Sequence, residues 1–95
     1  MNVVVGLPEA TLPQGWAVYP NPTSATFFLD GDRSAGKLLR LSVADLPGRI
    51  LIDRHPSDRG GRWQEAFDLS AFSKGVYVLR VETTRGVWTK KVIRR

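Results

Sequence analysis

The 95-residue chain contains no cysteine, which excludes disulfides, thiolate metal sites and a cysteine nucleophile together. It has one histidine, His55, followed by Pro56, Ser57 and Asp58. A serine and an aspartate next to a histidine in sequence do not make a triad, which is defined by geometry across a fold. His55 is therefore read as a solvated loop residue. No apolar run approaches the roughly 18 residues that span a bilayer, and residues 1–15 lack a basic stretch followed by an apolar one, so neither a transmembrane segment nor an export leader is legible. No glycine-rich stretch has phosphate-loop spacing before a helix. Asp30, Gly31 and Asp32 offer too few oxygen ligands for a calcium loop and read as a polar turn. The sequence is expected to bind no metal and no cofactor and to catalyse nothing.

What is present is a chain 42% hydrophobic and 24% charged, ordinary for a folded domain and too short for two. A domain of this size has one thin core and little room for a deep pocket, which favours an interaction surface over an active site. The formal charge is +5. From Arg85 to the end there are five basic residues (Arg85, Lys90, Lys91, Arg94, Arg95) and no acidic one. The remaining lysines and arginines balance all the acids, so the net charge sits on the last segment. Such a terminus suits nucleic acid, an anionic surface or an acidic groove on a protein, and lysines also protect a sheet edge from aggregation. Trp88 beside Lys90 and Lys91 is a weak single-strand-binding signal. Trp16 and Trp63 fall where core residues are expected, which argues against nucleic acid.

Residues 1–15, with Gly6, Pro8, Pro13 and Gly15, read as a linker with limited order, and residues 16–95 as the folded domain. Short apolar runs separated by turn residues follow, at the spacing of an all-β sandwich or barrel. Trp16 to Tyr19 ends at Pro20, Asn21 and Pro22, which cannot continue a ladder. In Thr26 to Asp30, Phe27 and Leu29 face one side. Lys37 to Asp45 places Leu39, Leu41 and Val43 together, and Leu46, Pro47 and Gly48 turn into Arg49–Arg54, where Ile50 and Ile52 share a face. Arg62 to Leu69 groups Trp63, Phe67 and Leu69, and Val76 to Thr83 groups Tyr77, Leu79 and Val81. In Val87 to Ile93 the alternation fits either face. Seven strands result, with no amphipathic helix longer than a turn and no internal repeat.

Four stretches, in order, carry a resemblance. Val18-Tyr19-Pro20-Asn21-Pro22-Thr23, Val43 to Arg49 with Asp45 and Gly48, Asp68-Leu69-Ser70 followed by Gly75-Val76-Tyr77 and Val81, and the finish Lys90-Lys91-Val92-Ile93 resemble the C-terminal sorting domain of the type IX secretion system, the Por secretion tail of type A. Pro47 and Phe72 are departures within the pattern. The resemblance implies an Ig-like antiparallel β-sandwich that follows an unrelated cargo, here absent. It implies capture by an outer-membrane type IX translocon and its shuttle proteins, delivery to the cell surface or medium through the periplasm and outer membrane, and removal by a sortase-like surface peptidase. Lys90, Lys91, Val92, Ile93, Arg94 and Arg95 are the expected translocon-recognition segment. Pro20, Asn21, Pro22, Asp45, Gly48, Gly75 and Tyr77 are expected to be sorting motifs with a largely structural part. The alternative reading is an Ig-like carbohydrate- or surface-binding accessory module that would use Trp63 or Trp88.

Overall fold

A computed structural model of the chain describes residues 12–57 and 60–95. The linker expectation falls mainly on residues outside this set. Where the description begins, Leu12 already packs against the core and the Trp16 amide donates to the Pro13 carbonyl at 3.0 Å.

Among the described residues seven antiparallel strands form: β1 (Ala17–Tyr19), β2 (Thr26–Gly31), β3 (Leu38–Asp45), β4 (Ile50–Arg54), β5 (Trp63–Asp68), β6 (Gly75–Thr83) and β7 (Gly86–Arg94), with a 3-10 turn at Arg33–Ala35. They build two sheets, ordered β1-β2-β5 and β4-β3-β6-β7. The expected all-β sandwich of seven strands is what the sequence folds into. Side chains alternate across a strand, so each sheet contributes one apolar row to the space between. Phe27 and Leu29 of β2, Phe67 of β5, Leu41 and Val43 of β3, Leu79 and Val81 of β6 and Val92 of β7 are fully buried there. Phe27 and Phe67, paired across β2 and β5, stack with centroids 4.9 Å apart.

Two departures from strict alternation correct the sequence reading. Leu39 is not in the core row but is 45% exposed, and Leu38 takes the inward place. The cause is a bulge: Leu38 pairs with Thr83 and Arg40 with Glu82, so two steps of β3 oppose one of β6 and Leu39 is the extra residue. A second irregularity pairs Val43 with Ile52 but Ala44 with Ile50. Leu51 is the unmatched residue, and Ile50 is turned to the outer face, 50% exposed, away from Ile52. One inserted residue reverses every side chain beyond it, which a periodicity of two cannot anticipate.

At one end of the core Trp16 meets Trp63 edge to face at 5.1 Å and lies 6.4 Å from Trp88. This cluster closes over Gly31, where an added Cβ would lie 2.6 Å from a Trp63 ring carbon and 3.0 Å from Trp16. Gly31→Ala is accordingly expected to destabilise the domain by about 1–3 kcal/mol through overpacking, measured by chemical denaturation. A change under a few tenths of a kcal/mol would mean that the tryptophans yield freely.

Candidate functional site

β7 is the outermost strand of the four-stranded sheet, paired with β6 on one side only. The register settles which way it faces. Trp88 lies opposite Val81, Lys90 opposite Leu79 and Val92 opposite Tyr77, so these form the inward row, while Val87, Thr89, Lys91 and Ile93 face outward. The basic residues are therefore divided. Lys91 and Arg95 are exposed; Lys90 is half-buried in the inward row; Arg94 is half-buried and its Nε donates to the Leu69 carbonyl at 3.1 Å.

The free edge of β7 is covered along part of its length, and the cover is the proline motif. In an antiparallel strand the N–H and C=O of alternate residues point to the same side, so Val87, Thr89, Lys91, Ile93 and Arg95 present their backbone groups away from β6. Asn21 meets them with its side-chain amide: Nδ2 donates to the Lys91 carbonyl at 2.8 Å and Oδ1 accepts from the Ile93 amide at 3.0 Å. Thr23 continues with its backbone, its amide donating to the Ile93 carbonyl at 2.8 Å and its carbonyl accepting from the Arg95 amide at 2.8 Å. The Asn21 amide thus substitutes for a peptide group of a neighbouring strand. Pro20 and Pro22 flank it with no N–H to compete, and both preceding peptide bonds are cis. Beyond this cover, from Val87 to the Lys91 amide, no backbone hydrogen bond is made to the edge among the described residues.

Asn21 is exposed, so its loss leaves the Lys91 and Ile93 groups to water instead of stranding them in the core. Asn21→Ala is expected to cost about 1–2 kcal/mol, two modest net hydrogen bonds, and to speed amide exchange at Ile93 ahead of Val81. Equal acceleration at both amides would place the effect on the whole fold instead of the edge.

The other motif residues form turns or brace them from the strand ends. The Asp45 carboxylate accepts from the Arg49 amide at 2.8 Å and from its Nε at 3.1 Å, and the Gly48 amide donates to the Asp45 carbonyl at 3.0 Å. Gly48 holds φ at 100°, a conformation that a side chain opposes. The Tyr77 hydroxyl, on a ring only 4% exposed, donates to the Ser73 carbonyl and ties down the turn before Gly75. Asp68 accepts from the Ser70 amide at 2.9 Å, the main reason its carboxyl is held below the ordinary carboxylate range.

Among the described residues none of this geometry brings together the side chains of a reacting centre. His55 is exposed, and Asp58 lies outside the described residues. No group of three or more histidine and carboxylate side chains able to hold a metal occurs among the described residues, and none of their helices is long and apolar enough to cross a membrane. Of the tryptophans that a sugar- or nucleic-acid-binding reading would use, Trp63 is 8% exposed and Trp88 is half-buried in the inward row of β7.

What the arrangement shares with known proteins is decided by one comparison. The model of the secretion-system C-terminal sorting domain matches residues 17–95. The chain belongs to that family. It is a type IX sorting signal, and its place is the route through the outer membrane to the cell surface or medium. No curated protein and no solved structure matches it. Within the sorting domain, the sequence reading found the proline motif and the terminal strand separately. It missed that they bind each other, because Asn21 and Ile93 are 72 positions apart and nothing in spacing connects them.

Proposed function

We propose that the type IX translocon and its shuttle proteins recognise the terminal strand of this sorting domain, with Lys91 and Arg95 as the accessible charges and the uncovered backbone from Val87 to Lys91 as the pairing edge. The observation that supports this is the half-covered edge. An exposed strand end invites addition of a partner's strand, and Asn21 with Thr23 limits that invitation to one segment, which restrains indiscriminate pairing. Cationic side chains along the edge steer an acidic partner and set its register. Lys90, Val92, Ile93 and Arg94 act behind them: Val92 anchors the strand in the core, and Arg94 ties it to the turn at Leu69.

In this reading the domain itself catalyses nothing and needs no cofactor. It follows a cargo that lies upstream, and a sortase-like surface peptidase removes it by cutting the segment before Trp16. Pro20, Asn21, Pro22, Asp45, Gly48, Gly75 and Tyr77 serve recognition indirectly, by holding the edge and its turns in shape.

The experiment is a fluorescent reporter fused ahead of the chain in a bacterium with a working type IX system. Reporter at the surface or in the medium is expected, with periplasmic retention once the translocon is inactivated. Equal export in both strains would overturn the reading.

A further inference from the structure

One face of a sandwich sheet packs inward, and the other ordinarily carries polar residues toward water. The outer face of the four-stranded sheet departs from this in the row that crosses Ala44. The strand register places Ile50, Ala44, Val78 and Lys91 in one row across all four strands, with Asp53, Ser42, Arg80 and Thr89 in the next. In both rows the β3 residue is the small one. A trough of about 640 Å3 results over Ser42 and Ala44, walled by Ile50 and Leu46 on one side and by Val78 and Arg80 on the other. Its apolar walls are open to solvent, Ile50 being 50% and Leu46 62% exposed.

Charge tells what fits there. The carboxylates at its margin are already matched: Asp53 by Arg40 at 2.7 Å, Asp45 by Arg49 at 3.1 Å, and Glu82 by Arg40 at 3.5 Å and Arg80 at 3.7 Å. Lys91, at the end of the row, is exposed and has no ion-pair partner among the described residues. The uncompensated charge beside the trough is positive.

We infer that this trough is a second docking surface of the domain, which receives an extended segment of a partner protein carrying an aliphatic side chain next to a carboxylate, the aliphatic group over Ala44 and the carboxylate at Lys91. A trough one side chain wide, running along β3, suits a peptide better than a bilayer, which would call for a flat basic face. In its secretion arm the inference rests on the sorting reading above; it shares Lys91 with the terminal segment, while Ala44, Ile50 and Val78 lie outside it.

The test uses the isotopically labelled 95-residue chain and a synthetic peptide alternating isoleucine with aspartate. Amide shifts are expected at Ser42, Ala44, Val78 and Lys91, absent with the lysine-for-aspartate peptide and absent in the Ala44→Asp variant. Equal shifts with both peptides, the same shifts produced by anionic phosphatidylglycerol vesicles, or shifts that depend on protein concentration alone would each overturn it, the last two by assigning the face to lipid or to a second copy. In cells, Ala44→Asp and Val78→Asp fusions whose melting temperatures match the parent are expected to lose about tenfold or more of surface reporter, the ratio that 1.4 kcal/mol of lost affinity produces. If the parent fusion is exported and both variants are exported equally well, the trough inference fails and the sorting reading stands; if the parent itself is not exported, the sorting reading fails and the peptide titration decides the trough.

Discussion

Deleting Lys90–Arg95 is expected to unfold the sorting domain, not merely to remove its charges. The deletion takes away Val92, which is fully buried, and the β7 partners of Leu79 through Gly75. It also removes the acceptors and donors that hold Asn21 and Thr23 to the edge. Burial of one valine contributes about 1.5–3 kcal/mol, and each lost ladder or edge hydrogen bond adds about 0.5–1.5 kcal/mol. Together these exceed about 5 kcal/mol, the lower end of what a small domain possesses. Circular dichroism of the truncated chain should show no cooperative melt, or one lowered by about 20 °C or more. A melt within a few degrees of the parent would mean that the strand adds nothing to the fold. The consequence for export is direct. A truncated fusion is expected to stay in the periplasm, yet its retention alone would not separate a lost recognition element from a lost fold, so point substitutions at exposed positions are the sharper tool.

Phe67→Ala carries the second large effect. Phe67 is fully buried, stacked on Phe27 at 4.9 Å, and its other ring face holds the Arg54 guanidinium at 4.5 Å. Removing the ring leaves a cavity in a core only two sheets thick and strips Arg54 of its packing surface while Glu65 still accepts from it at 3.1 Å. A loss of about 3–5 kcal/mol is expected for this class of substitution. For a domain of this size that is a fall of roughly 15–30 °C in melting temperature. Phe67→Leu, which keeps much of the volume, should lose less than half as much. Equal losses for the two would place the effect in the ring stacking instead of the cavity.

Much of this fold was legible in the sequence because burial follows alternation wherever the strands are regular. Phe27 and Leu29, Trp63 and Phe67, and Tyr77, Leu79 and Val81 all lie in the rows that a period of two assigns them. The reading broke at Leu39 and Ile50, where a bulge shifts the phase by one residue and where an exposed leucine or isoleucine looks the same in sequence as a buried one. It stayed open for β7, where apolar residues stand on both faces: Val92 packs in the core, while Val87 and Ile93 lie on the outer face. Only pairing with Tyr77 and Val81 resolves that ambiguity. The proline motif was legible as a strand stop. Its partner was not, since a side-chain amide bonding to an edge 72 residues away leaves no local pattern.

The same limit governs the candidate site. A cluster of cations at the terminus was visible as composition, whereas its division between two faces, with Lys90 and Arg94 drawn inward and Lys91 and Arg95 left outside, depends on strand phase. Composition therefore suggested one basic patch, and the folded edge presents two accessible charges, Lys91 at the end of a short stretch of unpaired backbone and Arg95 beyond the covered part.

The most direct test of that picture is the surface-delivered fraction of a reporter fused to the chain carrying Lys91→Glu and Arg95→Glu together, both at exposed positions and both checked to melt with the parent. The account predicts that delivery falls about tenfold or more while the fusion accumulates in the periplasm, since reversing charges at an interface both slows encounter and opposes docking. Delivery equal to the parent, from a domain equally stable, would contradict the claim that the edge of the last strand is what the secretion machinery reads.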